Sequence, residues 1–235
     1  MQLFYNSEIS STTEQFTFDK TESRHIVKVL RKSEGDHIFI TNGLGELFTS
    51  EIIIANDKRC LVQIKEVKTH NKPYNYYLHI AIAPTKLNDR LEWFLEKATE
   101  IGIDEITPII CDHSERKTVK MERMEKIVHS AAKQSLKFHF PKLNDPISFK
   151  QFMNSNFEGQ LFIAHCEETD KKSLKSELKP NLNTTILIGP EGDFSIKEIH
   201  QSLEHNFIPV SLGESRLRTE TAGVVAAHSV AFVNE

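Results

Sequence analysis

Two patterns of apolar residues divide the chain. Up to about residue 70, β-branched-rich runs are separated by turn residues, and residues 36–41, 46–54 and 59–67 read as strands. Asn42-Gly43-Leu44-Gly45 marks a turn between the first two, and Asn56-Asp57 between the second and third. A helix over residues 21–31 interrupts them. Short antiparallel strands of this kind tend to close into a small barrel. Gly43-x-Gly45 lacks the third glycine of a dinucleotide fingerprint and sits in a hairpin rather than at a strand-to-helix turn.

Residues 69–75 are polar with one proline and read as a linker between a domain over 1–70 and a second over 76–235. Beyond it, strands alternate with helices. Strands are predicted over 76–83, 105–110, 161–165, 184–188 and 207–212, and helices over 89–101, 118–137, 195–205 and 219–233. In the first helix Leu91, Phe94, Leu95, Ala98 and Ile101 share one face. Asp89, three residues before Glu92, is a candidate N-cap, and Ser195 with Glu198 forms a capping-box pattern. The stretch 170–180 reads as a surface helix or loop. Alternation of this kind argues for an α/β fold with a parallel sheet and helices on both faces. The last helix carries almost no charge past Glu220, so it is expected to be buried, against its own core or against a second copy. Phe194 and Ile196 are expected in the core.

Composition narrows the classes. Hydrophobic content of 39% and charged content of 26% suit a globular protein, and no run of about 18 apolar residues reads as a membrane span. The first ten residues lack the pattern of a secretory signal, so a cytoplasmic protein is expected. Cys60, Cys111 and Cys166 are far apart and the histidines are scattered, so neither a disulfide framework nor a metal site is expected. Net charge is −4, but its distribution is uneven: between Arg116 and Lys142 eight basic residues face only Glu122 and Glu125. With Arg24, Lys28, Arg31 and Lys32 they form patches able to neutralise phosphates.

Chemistry concentrates where apolar strands run into glycine-bearing loops and then helix starts: Ile188-Gly189-Pro190-Glu191-Gly192-Asp193 and Leu212-Gly213-Glu214-Ser215-Arg216-Leu217-Arg218-Thr219-Glu220. Ligands of open parallel sheets sit beyond the carboxyl ends of the strands, so these loops and the one after Ile163 should meet. No G-x-x-x-x-G-K-[ST] is present, and Glu191 disfavours a phosphate there. The motif pair IGPEGxFSxxE and LGxxxLRTETA resembles the C-terminal domain of the RsmE family, SPOUT-superfamily methyltransferases acting on small-subunit ribosomal RNA. Lys97-Ala98-Thr99-Glu100-Ile101-Gly102 with Pro108, Gln134-Ser135 with Pro141, and Arg24-His25, Val29-Leu30-Arg31 and Gly35-Asp36 extend the resemblance over nearly the whole chain. Departures are Asp193 where the family usually has a second glycine, Lys133 for a glutamate, and Leu136-Lys137 for an arginine.

The resemblance implies a PUA-like RNA-binding β-barrel followed by a SPOUT domain with a C-terminal trefoil knot. It implies a homodimer that transfers a methyl group from S-adenosylmethionine to N3 of a uridine in 16S ribosomal RNA. The alternative is a non-catalytic RNA-binding or ribosome-assembly factor of the same fold. Cofactor contacts are then expected from Ala164, His165, Ile188, Gly189, Pro190, Glu191, Gly192, Leu212, Gly213, Leu217, Arg218 and Thr219. RNA contacts are expected from Arg24, Arg31, Lys120, Arg123 and Lys126. Loss of the weakly acidic uracil N3 proton calls for a base or an anion stabiliser. Arg218 is the candidate stabiliser, and Glu220 or Glu191 the candidate base.

Overall fold

The computed structural model describes residues 1–168 and 170–235. The chain divides into two units, Met1–Pro73 with Ala132–Phe140, and Tyr74–Ala131 with Pro141–Glu235.

The first unit holds β1 (Leu3–Tyr5), β2 (Gln15–Thr17), α1 (Lys20–Arg24), a π-helical turn (His25–Val29), β3 (His37–Thr41), β4 (Glu46–Ile54) and β5 (Leu61–Thr69). They form one sheet in the order β1-β3-β4-β5-β2, antiparallel except for β1 on β3. Two register shifts in β4, at Thr49/Ser50 and Ile52/Ile54, bend the sheet around a core that includes Phe4, Ile26, Ile40, Phe48 and Val62. The predicted single helix is instead an α-turn followed by a π-turn, ended by Arg31 at φ 55°.

Residues 132–140, expected in the second domain, belong with the first unit. The Gly45 N–H donates to the Phe138 carbonyl and the Phe140 N–H to that of Gly43, each at 2.9 Å. The Phe140 ring stacks on Tyr5 at 4.6 Å. A Cβ on Gly45 would lie 2.5 Å from the His139 ring, so the turn is glycine-rich because a second segment lies on it.

The second unit follows the α/β reading. Its elements are β6 (Leu78–Ile82), α2 (Asn88–Ile101), β7 (Glu105–Ile110), α3 (Met121–Gln134, whose last residues join the first unit), β8 (Lys142–Leu143), β9 (Ile147–Ser148) and α4 (Phe149–Met153). They continue with β10 (Gln160–Ala164), β11 (Lys172–Ser173), α5 (Leu174–Glu177), β12 (Thr184–Ile188), α6 (Ile196–Glu204), β13 (Ile208–Ser211) and α7 (Thr219–Val233). The strands run parallel in the order β11-β13-β10-β12-β6-β7-β8, with β9 also on β7.

Every residue of β12 is buried, because both faces of the sheet are covered. Ile186 and Ile188 join a core with Ile80, Phe94 of α2 and Ala226 of α7. Leu187, one residue out of phase, joins Ile163, Phe149 of α4 and Ile199 of α6 on the other face.

Local details correct three expectations. α2 begins at Asn88, so Asp89 lies inside its first turn, and Leu87 at the N-cap position makes no side-chain cap bond. Ile196 is 64% exposed at the first position of α6, while Phe194 is buried. α7 buries only one face: Gly223, Ala226, Ala227 and Val230 are inside, whereas Phe232 is exposed. The Ser195–Glu198 capping box is formed as predicted. No helix among the described residues is long and apolar enough to cross a membrane.

Candidate active site

β13, β10 and β12 are neighbours in the sheet, with Ala164 in register with both Val210 and Ile188. Their carboxyl ends therefore lie side by side, and the loops after them meet. Between them are two adjoining cavities, one of about 660 Å³ and one of about 270 Å³, which share Ala164, Cys166, Asp193, Arg216, Leu217 and Ala222. The larger takes in His165, Gly192, Leu212 and Gly213, and the smaller Ile188, Gly189, Pro190, Glu191, Arg218 and Thr219. All twelve residues expected around a cofactor thus line one cavity or the other.

Side-chain bonds fix the loops to one another. Thr219 donates its hydroxyl to the Gly189 carbonyl at 3.1 Å, tying the start of α7 to the loop after β12. The Asp193 carboxylate accepts the Cys166 N–H at 2.7 Å, tying that loop to the one after β10. Glu191 accepts the Lys86 N–H at 2.9 Å. Arg116 in turn donates to the Lys86 and Thr85 carbonyls at 2.7 and 3.2 Å. His113 donates from Nδ1 to the Gly192 carbonyl at 3.0 Å. The loops after β6 and β7, which carry no glycine motif, therefore buttress the site from outside. The sequence gives no local sign of this, since the bonds from Lys86 and His113 reach partners 105 and 79 residues away.

Several polar groups on the cavity walls are unspent. His165 is buried, and its Nδ1 has no partner; nor has Glu191 Oε2. Burial holds His165 below its ordinary pKa, with Lys171 adding to the effect and Asp193 and Glu167 opposing it, so the ring stays neutral. Gly213 adopts φ 141°, and a Cβ there would meet no protein atom within 4 Å, while its N–H and carbonyl are both engaged by the Ser211 hydroxyl, at 3.2 and 2.9 Å. A small molecule with ring nitrogens and hydroxyls fits such a set, because unpaired buried acceptors are costly unless something fills them.

The two candidate catalytic residues are placed differently. Arg218 is exposed at the N-cap of α7, on the wall of the smaller cavity. Glu220 lines neither cavity; it is buried in the first turn of α7, with Oε1 3.8 Å from Arg90 Nε and Oε2 unpaired.

The family described as RNA methyltransferase domain matches residues 70–231, and that described as RNA methyltransferase PUA domain matches residues 18–65. The chain is 32% identical over 220 residues to ribosomal RNA small subunit methyltransferase E of Buchnera aphidicola subsp. Acyrthosiphon pisum, covering 90% of this chain and 86% of that one. The chain belongs to the ribosomal RNA small subunit methyltransferase E family.

Members and structural relatives agree over the full length. The Bacillus subtilis enzyme of the same name is 28% identical, over 94% of this chain and 91% of its own. The crystal structure of a probable rRNA-methyltransferase from Porphyromonas gingivalis superposes with a TM-score of 0.92 at 40% identity, covering 100% of this chain and 98% of that one. The family member from Neisseria gonorrhoeae, solved bound to S-adenosyl methionine, gives 0.84 at 27% identity, covering 100% and 98%.

Of the positions expected to touch RNA, Arg24 and Arg31 are exposed in the first unit, and Lys120, Arg123 and Lys126 in the second. Arg123 is paired with Glu92 at 2.7 Å and Lys126 with Glu122 at 2.5 Å. Free positive charge on α3 is therefore smaller than the spacing of basic residues suggests. Glu92, on α2, was not visible as a partner from within the α3 sequence.

Proposed function

We propose that this family member transfers a methyl group from S-adenosylmethionine to N3 of a uridine in 16S ribosomal RNA, acting as a cytoplasmic homodimer. The trefoil knot implied by the family resemblance belongs to the same proposal. The observation that carries it is the pair of adjoining cavities at the ends of β10, β12 and β13, with His165 Nδ1 and Glu191 Oε2 left without partners on their walls.

When bound, the cofactor supplies an electrophilic methyl group on a sulfonium. The chain's residues do the rest. Backbone groups of the glycine-bearing loops read the adenine edge, Leu212 and Leu217 wall the ring, and the neutral His165 offers a ring nitrogen. The uracil N3 would lose its proton before it attacks, and the negative charge would spread over the ring until the N–C bond forms, the S–C bond breaking to leave a neutral thioether. Arg218 would hold that charge, a role supported by its exposure, its position on the smaller cavity's wall and the lack of an ion-pair partner among the described residues. The unpaired Glu191 Oε2 on the same cavity wall is the carboxylate best placed to take the proton, in preference to Glu220 behind Arg90. Holding the two reactants in line supplies much of the remaining acceleration. The exposed Phe232 of α7 and the exposed Trp93 of α2, the helix packed against it, support dimerisation through these helices.

The test is transfer of a tritiated methyl group to small-subunit RNA lacking its own modification, followed by nucleoside analysis, with calorimetry of S-adenosylmethionine binding. Label in 3-methyluridine is expected. Absence of both binding heat and transfer refutes the proposal.

A further inference from the structure

Position 193 is where this chain departs from the family pattern beside the cofactor cavities. A glycine there would be free of strain; Asp193 instead adopts φ 62°, the left-handed region that side chains other than Asn and Asp rarely enter. The side chain is fixed at both oxygens. Oδ2 accepts the Cys166 N–H at 2.7 Å and Oδ1 the Phe194 N–H at 2.9 Å. Both donors are neutral, and Asp193 has no ion pair among the described residues. The nearby Lys171 ammonium is bonded to the backbone carbonyls of His165 and Glu167, at 2.8 and 2.5 Å. A carboxylate held at both oxygens, with no direct ion pair among the described residues, therefore stands on the wall common to both cavities, which Arg216 also lines.

Such a charge does nothing for an adenine or a ribose, which are neutral, and the zwitterionic amino-acid end is common to donor and product. It favours a cation. We infer that Asp193 makes the cavity prefer the sulfonium donor over its neutral demethylated product, and so limits product inhibition. The inference rests on the cofactor reading above and deepens it. S-adenosylmethionine carries one more positive charge than S-adenosylhomocysteine and is otherwise the same molecule apart from one methyl, so the ratio of their affinities isolates the electrostatic part.

Two roles of Asp193 separate by substitution. Asp193→Asn keeps an amide oxygen for the Cys166 N–H and tolerates a positive φ, but removes the charge together with the local acceptor for the Phe194 N–H. Asp193→Gly removes strut and charge together. Calorimetry on the full chain is expected to show Asp193→Asn lowering the preference for S-adenosylmethionine over S-adenosylhomocysteine about fivefold, a partly screened charge–charge effect. Affinity for the product should hold. Asp193→Gly should weaken both ligands. In the unsubstituted protein, added salt should weaken the donor more than the product, a readout that needs no variant. An unchanged ratio in Asp193→Asn, or equal salt dependence for the two ligands, overturns the inference and leaves the cofactor reading standing. Failure of the unsubstituted protein to bind either ligand overturns the cofactor reading itself.

Discussion

Gly223 allows one core contact to be tested against a simple competing effect. It lies inside α7, where exchanging Gly for Ala normally stabilises a helix by about 0.8–1 kcal/mol. Here an added Cβ would stand 2.6 Å from both Cδ2 and Cε2 of Phe94 and 3.0 Å from Ile82 Cδ1. Carbon pairs at rest sit about 3.5–4.0 Å apart, so α7 or the ring must give by about 1 Å. The Phe94 ring is fully buried between β6 and α2 and has no free space to enter. Overpacking of this kind costs about 1–3 kcal/mol, which outweighs the helix-propensity gain and leaves Gly223→Ala about 1 kcal/mol less stable. The loss should reach the site as well, because α7 carries Thr219, whose bond to the Gly189 carbonyl is 3.1 Å long. Urea unfolding followed by Trp93 fluorescence is a direct assay: it is the only tryptophan and precedes Phe94 in α2. The control is Phe94→Leu. In that background Gly223→Ala should be neutral or stabilising, giving a coupling of about 1–2 kcal/mol. A Gly223→Ala protein at least as stable as the original, or strict additivity with Phe94→Leu, refutes the reasoning.

Arg218→Ala should cut methyl transfer about a hundredfold while the urea midpoint stays nearly fixed, since the side chain is exposed and its proposed role is to stabilise charge only during reaction; parallel loss of activity and stability would assign it to the fold. His79 tests pH linkage. Burial holds its pKa below 6.5, with Lys142 acting the same way and Glu105 against, so the unfolded chain takes up the proton first. Stability from this group is complete above about 6.5 and is lost as pH falls below that value toward the folded pKa. His79→Gln should flatten that part of the stability–pH curve, though the same-signed loss from His165 remains; identical curves for the two proteins would remove His79 as a cause. Replacing Lys120, Arg123 and Lys126 together by Ala should lower the salt slope of RNA binding by about 0.7–0.9 for each phosphate that is no longer neutralised. Because Arg123 and Lys126 are already paired with Glu92 and Glu122, the change should fall short of what three unpaired cations would give, and no change would make this a solvated face.

What the sequence disclosed and what it hid follow from range of interaction. The β12 run, the Ser195–Glu198 box and α7 were legible because apolar period and capping are local. So were the loops of the cavity, since a glycine after an apolar strand in an α/β chain says where the backbone opens. β1 and β2 were missed because three residues carry no period. The joining of residues 132–140 to the first unit was hidden because His139 meets Gly45 and His70 only through the fold. The Asp193 strut and the Glu191 clamp were hidden for the same reason: each spans at least 27 residues.

Cavity size separates the candidates only narrowly, about 660 Å³ at the site against about 520 Å³ elsewhere. At the opposite, amino-terminal edge of the same sheet lies another cavity, of about 520 Å³, lined by Tyr77, His79, Glu105, Thr107 and Asn144. These five side chains bond to one another. Glu105 accepts from the Tyr77 hydroxyl at 2.9 Å and from Asn144 at 2.6 Å, and His79 Nε2 lies 2.7 Å from the Thr107 hydroxyl. None of these groups is left as a buried atom without a partner. At the carboxyl edge, His165 Nδ1 and Glu191 Oε2 are both left over, at a cost of about 1–3 kcal/mol each if nothing ever meets them. One edge thus closes on itself through internal hydrogen bonds, while the other holds bonding capacity in reserve. The difference supports the proposal that the ligand binds at the loops after β10, β12 and β13, and it fits a structural role for the network under β6 and β7.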